Sequence, residues 1–289
     1  LPAQTRAFWL ATADLEAGES ESAKRQLEEL LPGADPLLHR AIERRLSRIS
    51  ILPEPLDASA ERVVEEAARE FGHEETFGVR RSLFSNRARA TQILMVLNIF
   101  MFVVESSLGG STNLDVLYRL GGLFPPAVRA GEWWRLTTAV FLHFGALHLA
   151  MNMFGLWFLG PFVEFALGFR RFMLVYLLAG IGSMATVMEF SSAAHAEPLT
   201  VGASGCVMGL VGATGALMLR GWLREKALAA KRQLVLMLLI VSMQILFDSA
   251  IPKVSMTAHL SGAFIGFAAI MVLRDRLIPP APHQLGFKP

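Results

Sequence analysis

Ser204 lies in the run Gly202-Ala203-Ser204-Gly205, where a polar segment turns into an apolar stretch, so a nucleophile-type hydroxyl is set at a membrane surface. The only histidine of the last apolar stretch, His259 in Ala258-His259-Leu260-Ser261-Gly262, can be set at the same depth. A serine hydroxyl is a weak nucleophile until a neighbouring base takes its proton, and His259 is the natural base. His148 and Asn152 stand four residues apart in another apolar stretch and share one helical face. Both carry N–H donors and no permanent charge, which suits the stabilisation of a transient oxyanion. Polar groups isolated in a bilayer are costly, so all four are functional candidates. The glycines around Ser204 let the backbone present its own N–H and let helices approach closely. The pairs Gly205-x-x-x-Gly209 and Gly262-x-x-x-Gly266 would carry that packing and bring Ser204 and His259 within hydrogen-bond reach. Each feature alone has a duller meaning, as a chance motif, ordinary helix packing or a bridging histidine. Their weight lies in converging on one depth.

The elements that must hold these groups follow from hydropathy. The chain has 289 residues, 53% of them hydrophobic, and a mean hydropathy of +0.44, too apolar for a soluble domain of this size. Six apolar stretches stand near 91–108, 147–164, 172–190, 204–219, 234–246 and 256–273. Some fall short of the roughly 20 residues a spanning helix needs, but each can extend into its flanks. The expected fold is therefore all-α, a polytopic six-helix membrane bundle over residues 91–276. It is preceded by a soluble helical region (1–75) and a basic juxtamembrane linker (76–90), and followed by a cytoplasmic tail (277–289).

Charge sets the orientation. Residues 1–90 hold 13 Lys/Arg and 16 Asp/Glu, leaving 14 and 9 for the other 199 residues. Arg80, Arg81, Arg87 and Arg89 precede the first stretch, and Arg170 and Arg171 separate the second from the third. Arg220, Arg224, Lys226, Lys231 and Arg232 separate the fourth from the fifth, and Arg274 and Arg276 follow the sixth. The opposite side holds Arg119, Arg129, Arg135 and Lys253. The bias puts both termini in the cytoplasm and the polar groups toward the outer face. The outer connection from Gly109 to Leu136, with Leu117, Leu120, Leu123, Phe124, Trp133 and Trp134, is too apolar for a solvated loop and is expected in the interface.

Other chemistries fit poorly. A net charge of +2 without a basic, aromatic-interleaved stripe gives no nucleic-acid footprint. The single cysteine, Cys206, excludes an internal disulfide and a multi-Cys metal site. His143 and His148 are five residues apart, which does not put both on one helix face, and HExxH is absent. Asp248 and Asp275 fall on opposite sides of the membrane, which leaves no aspartyl pair. No metal, nucleotide or redox cofactor is implied. Residues 1–50 read as short amphipathic helices, with Ala11, Gly18, Ala23, Leu27 and Leu30 loosely following a tetratricopeptide hairpin, and a Pro-rich break at Pro53 and Pro55 follows. This region is taken as a solvated appendage without a catalytic role, whose use would be to bind a protein partner. Leu1 to Glu16 lacks the basic start and apolar core of a signal peptide, and Leu1 is read as a processing or expression boundary.

In Trp134-Arg135, His143-Phe144-Gly145-Ala146-Leu147-His148 running into Asn152, Gly202-Ala203-Ser204-Gly205, and Ala258-His259 followed by Gly262 and Gly266, the chain resembles the rhomboid family of intramembrane serine proteases. The resemblance covers residues 90–276. It implies Ser204 as nucleophile and His259 as base in a dyad without a carboxylate. His148, Asn152 and the Ser204 backbone N–H would form the oxyanion hole, with Gly202 lining it or binding substrate. Trp134 and Arg135 would hold the outer loop against the bundle, Glu164 would be structural, and the fifth helix with the connection from Phe247 to Val254 would act as the substrate gate. Many members carry a tyrosine where this chain has Met208, a thioether that orients an imidazole less rigidly. The implied activity is endoproteolysis of transmembrane segments near the outer boundary of a bacterial plasma membrane, with membrane proteins as substrates and the lipid bilayer as surroundings. A non-catalytic rhomboid-like binder of transmembrane clients is the main rival, and the intact Ser204 and His259 argue against it. A proton-coupled transporter is the second, and it would need an inverted repeat that the sequence lacks.

Overall fold

The computed structural model describes residues 3–16, 20–49, 58–78, 88–191, 199–250 and 255–273. Outside them lie Arg80, Arg81, Arg87, Lys253, Arg274, Asp275 and Arg276, the break at Pro53 and Pro55, most of the linker, the tail, and residues 251–254. The chain divides into two compact units, 1–66 and 67–289.

In the first unit α1 (Ala3–Glu16) and α2 (Ser20–Leu30) lead through a 3₁₀ turn (Leu31–Gly33) to α3 (Pro36–Ile49). Phe8, Ala11, Leu27, Leu38 and Ile42 form its small core. Ala11, Ala23 and Leu27, three of the hairpin positions, are fully buried. The Asp35 carboxylate starts α3 by accepting the Leu37 and Leu38 N–H groups at 2.8 and 3.0 Å, and these bonds hold its pKa below the ordinary aspartate value. The unit boundary falls within α4 (Ala58–Phe77), whose last residue is fully buried among residues of the second unit.

The second unit continues with α5 (Arg89–Ser107), three short helices, α6 (Leu114–Arg119), α7 (Pro125–Arg129) and α8 (Arg135–Thr138), and a 3₁₀ turn (Ala139–Phe141). Then come α9 (Ala146–Leu167), α10 (Phe169–Phe190), α11 (Ser204–Glu225), α12 (Leu228–Ala250) and α13 (Met256–Val272). The six apolar stretches become α5 and α9 to α13. Five of these are long and apolar enough to cross a membrane. The sixth, α13, has 17 residues, about 26 Å of helix against a hydrocarbon core of about 30 Å. The Ser255 hydroxyl, which accepts the Ala258 N–H, marks its start. Among the described residues there is no strand, only a backbone bridge between Leu123 and Thr200. The chain is an integral, multi-pass, all-α membrane protein.

α11 is the centre of the bundle, with α9, α10, α12 and α13 around it. Lipid tails supply no hydrophobic drive between helices, so close backbone packing of small residues has to hold them. A Cβ on Gly262 would strike the Gly205 backbone, and one on Gly266 the Gly209 backbone. The two glycine pairs thus form the expected seam, and the rising register of both partners makes α11 and α13 parallel. The outer connection splits its side chains: Leu117, Leu123 and Val128 are fully buried, while Trp133 and Trp134 are exposed.

Candidate active site

Three parallel helices bring their starts to one end of the bundle. α9 runs alongside α11, since Gly202 meets His148 and Gly155 meets Val207 further down. α13 runs alongside α11 through the glycine seam, so Ser204, one residue before Gly205, and His259, one turn before Gly262, share that end. The segment entering α11 is pinned by backbone bonds: Leu123 and Thr200 exchange N–H···O contacts at 2.9 and 3.0 Å, and the Gly202 N–H donates to Ala139 O at 2.9 Å.

Gly202 has φ +133°, a backbone that side chains disfavour, and a Cβ there would fall 2.6 Å from His148 Cε1 and 2.8 Å from Nε2. The Ser204 Oγ lies 3.7 Å from the same point. Imidazole and hydroxyl therefore flank the empty space above one glycine. The Phe144 N–H donates to His148 Nδ1 at 3.3 Å, which makes Nδ1 the acceptor and leaves the proton of a neutral ring on Nε2, the nitrogen beside Gly202. Asn152 is buried one turn on. Its Nδ2 gives one hydrogen to His148 O at 3.0 Å and keeps a second. As the first residue of α11, Ser204 also has a backbone N–H outside the helical ladder, at the positive end of a 22-residue dipole. Together these donors can hold an oxyanion near Ser204.

His259 is buried, and its surroundings depart from expectation. Its Nδ1 lies 2.8 Å from Asp248 Oδ2 and 3.1 Å from Gln244 Nε2, both on α12, and Gln244 Nε2 donates to Asp248 Oδ1 at 2.7 Å. The resemblance implied a dyad without a carboxylate, and here a carboxylate lies against His259 Nδ1. Asp248 and His259 flank the same short connection, so they stand at the same end of the bundle. The sequence signal was a lone carboxylate at the end of an apolar stretch. A second expectation is not met either. Among the described residues the Ser204 hydroxyl makes no hydrogen bond, to His259 or to anything else, and His259 Nε2 is likewise unpaired. In free enzymes this contact often tightens only when substrate binds.

The remaining candidates are supports. Arg135 is buried, with Nη1 donating to Tyr118 O and Gly122 O at 2.7 and 2.9 Å, Nε paired with Glu132, and the guanidinium 4.2 Å above the Tyr118 ring. It folds the outer connection onto itself. Trp134 is exposed and contributes its carbonyl, which accepts from Thr137 and Thr138. Glu164 caps α5, accepting Ala90 N–H, Thr91 N–H and Thr91 Oγ–H at 2.8, 2.9 and 2.8 Å. Met208 is buried one turn after Ser204. Sequence reasoning missed Glu105, a buried carboxylate on α5 that accepts the His143 N–H at 3.1 Å and so holds the approach to α9. The buried His143 ring packs edge-on against His148 at 5.4 Å, and burial first, then His148, keeps its pKa far below the usual histidine value. Among the described residues no group of three or more His, Cys, Asp or Glu could hold a metal ion.

The family model of the Rhomboid domain matches residues 130–276, which contain α8 to α13 and none of α5, α6 and α7. The chain is 33% identical over 201 residues to Rhomboid protease GluP of Bacillus subtilis (strain 168), covering 69% of this chain and 38% of that protein. It is 29% identical over 190 residues to RHOMBOID-like protein 5 of Arabidopsis thaliana, covering 63% and 60%, and 34% identical over 144 residues to Putative rhomboid protease YdcA of B. subtilis, covering 48% and 67%. The chain thus spans less than two thirds of each of the first two relatives. With its matched domain, its multi-pass helical bundle and its glycine-packed helices, the chain belongs to the rhomboid family.

Proposed function

We propose that the chain is an intramembrane serine endopeptidase that cleaves transmembrane segments of membrane proteins near the outer membrane boundary. The observation that carries this reading is the unpaired Ser204 hydroxyl beside the His148 Nε2–H donor above Gly202, with His259 at the same end of the seam. Two of the bacterial relatives are named as rhomboid proteases, which supports it.

In this mechanism Ser204 Oγ attacks the scissile carbonyl carbon while His259 Nε2 takes its proton. The new oxyanion accepts from the Ser204 backbone N–H, His148 Nε2–H and the spare Asn152 amide hydrogen. The C–N bond breaks as His259 returns the proton to the leaving amine, and water then hydrolyses the Ser204 ester by the same route. A transmembrane helix hides its carbonyls in hydrogen bonds, so the substrate has to unwind locally, which favours small or helix-destabilising residues at the scissile site. The basic residues at the other helix ends favour an extracytoplasmic site in a bacterial plasma membrane.

The test is cleavage of a panel of single-pass substrates by the purified chain in liposomes, with Ser204→Ala and His259→Ala alongside. Cleavage near the outer boundary that both substitutions abolish is the expected result. Binding without cleavage, or cleavage that survives Ser204→Ala, would overturn the reading, and binding alone would favour a client-binding protein.

A further inference from the structure

We infer that Asp248, held by Gln244, is a positioning residue that fixes the tautomer and orientation of His259, the partner of Ser204 in the dyad. This rests on the serine-protease reading. The Asp248 side chain is 0% exposed and that of His259 is 7% exposed. A carboxylate in an apolar helix stands only when paired, and Asp248 has two partners, Gln244 on Oδ1 at 2.7 Å and His259 on Oδ2 at 2.8 Å.

The hydrogens sort themselves. The Gln244 amide nitrogen can only donate, and Asp248 Oδ1 is its short acceptor. Oδ2 then remains to accept, and the proton between it and the ring belongs to His259 Nδ1. The 3.1 Å approach of Gln244 Nε2 to that nitrogen is a packing contact between two donors sharing one carboxylate. With its proton on Nδ1, His259 presents the Nε2 lone pair, which the base needs in order to take the Ser204 proton. When the ring becomes an imidazolium, the same carboxylate is already opposite the new charge. Met208, one turn after Ser204, offers no hydrogen-bonding hydrogen for that task.

The placement on α12 adds a second consequence. Past Met237, Asp248 is the only residue of α12 that is buried among those described. The contacts of Asp248 and Gln244 with His259 thus tie this end of α12 to α13. Displacing that end removes the carboxylate from the base.

The experiment uses the full chain in liposomes with a cleavable single-pass substrate, measuring kcat, KM, thermal stability, and both rate and end-point of Ser204 labelling by a fluorophosphonate. Asp248→Asn should lower kcat by about 10² to 10⁴, with KM little changed. Labelling should slow in step and still reach the wild-type end-point, since the end-point counts folded sites and the rate reports the base. Asp248→Glu should recover part of the loss, and Gln244→Leu should give a smaller one in the same two rates. If Asp248→Asn loses the labelling end-point, folding has failed, and the decision passes to Asp248→Glu and Gln244→Leu. Slowed labelling at full end-point upholds the proposal, and wild-type rates in both overturn it. Unchanged or raised kcat in a folded Asp248→Asn also overturns it, a rise marking a mere latch. No cleavage and no labelling by the unaltered chain would instead remove the protease reading itself.

Discussion

α11 and α12 are neighbours in the chain and opposites in their surroundings: 67% of the apolar window of α11 is buried within protein, against 11% for α12. The difference follows from side-chain size. α11 carries Gly205, Gly209 and Gly212 and lets other backbones reach it. α12 is covered with exposed large residues such as Leu238, Leu239, Met243 and Leu246. The proposed nucleophile therefore starts the best-packed helix, and the carboxylate on the proposed base comes from the worst-packed one. Half of the site is built on a close-packed seam, and half leans on a helix that is mostly exposed.

The largest effect that would break this contrast is expected on the seam. Gly266→Leu puts a side chain into the Gly209 backbone, which cannot give, so it should destabilise the bundle by about 1–3 kcal/mol or more and abolish cleavage although residue 266 lies two turns from His259. Thermal denaturation in detergent reads the first effect and the substrate panel the second; a wild-type melting temperature would mean the seam is looser than its geometry. Asn152→Ala comes next. It removes one amide donor and should lower turnover by about 10² to 10³ with little change in melting temperature. Equal turnover would confine the oxyanion site to His148 and the Ser204 backbone. Smallest is Met243→Ala on α12, where the side chain is 70% exposed and stability should change by no more than about 0.5 kcal/mol. A drop as large as that of Gly266→Leu would show α12 to be packed against an unseen protein surface.

The sequence carried the seam because glycines four apart are readable as a close-packing face, and it carried the depth of Ser204, His148 and His259 because helix order and charge bias fix which ends coincide. It also put Asp248 and His259 on either side of one connection. What it lacked was the rotation of α12 about its own axis. A helix that is apolar on nearly every side has no polar stripe to give its phase, so nothing showed that Asp248 turns toward α13 rather than away. Glu105 was hidden for a related reason. Its partner is the backbone N–H of His143, and backbone groups leave no mark in the sequence. That Ser204 and His259 Nε2 do not bond to each other was beyond any spacing rule, since a hydrogen bond depends on tenths of an ångström that helix register does not set.

One small feature governs how far α12 can travel. Only Lys226 and Ala227 separate it from α11, and Lys226 takes a left-handed φ of 56° as its N–H closes the last turn on Trp222 O. Anchored there, the 23 residues of α12 form a lever about 34 Å long. A tilt of about 10° at this fulcrum sweeps the far end through roughly 6 Å, about half the diameter of a helix with its side chains. Near Lys231 the same tilt is almost imperceptible. A spectroscopic probe attached there would report a still molecule while the tip had already swung clear.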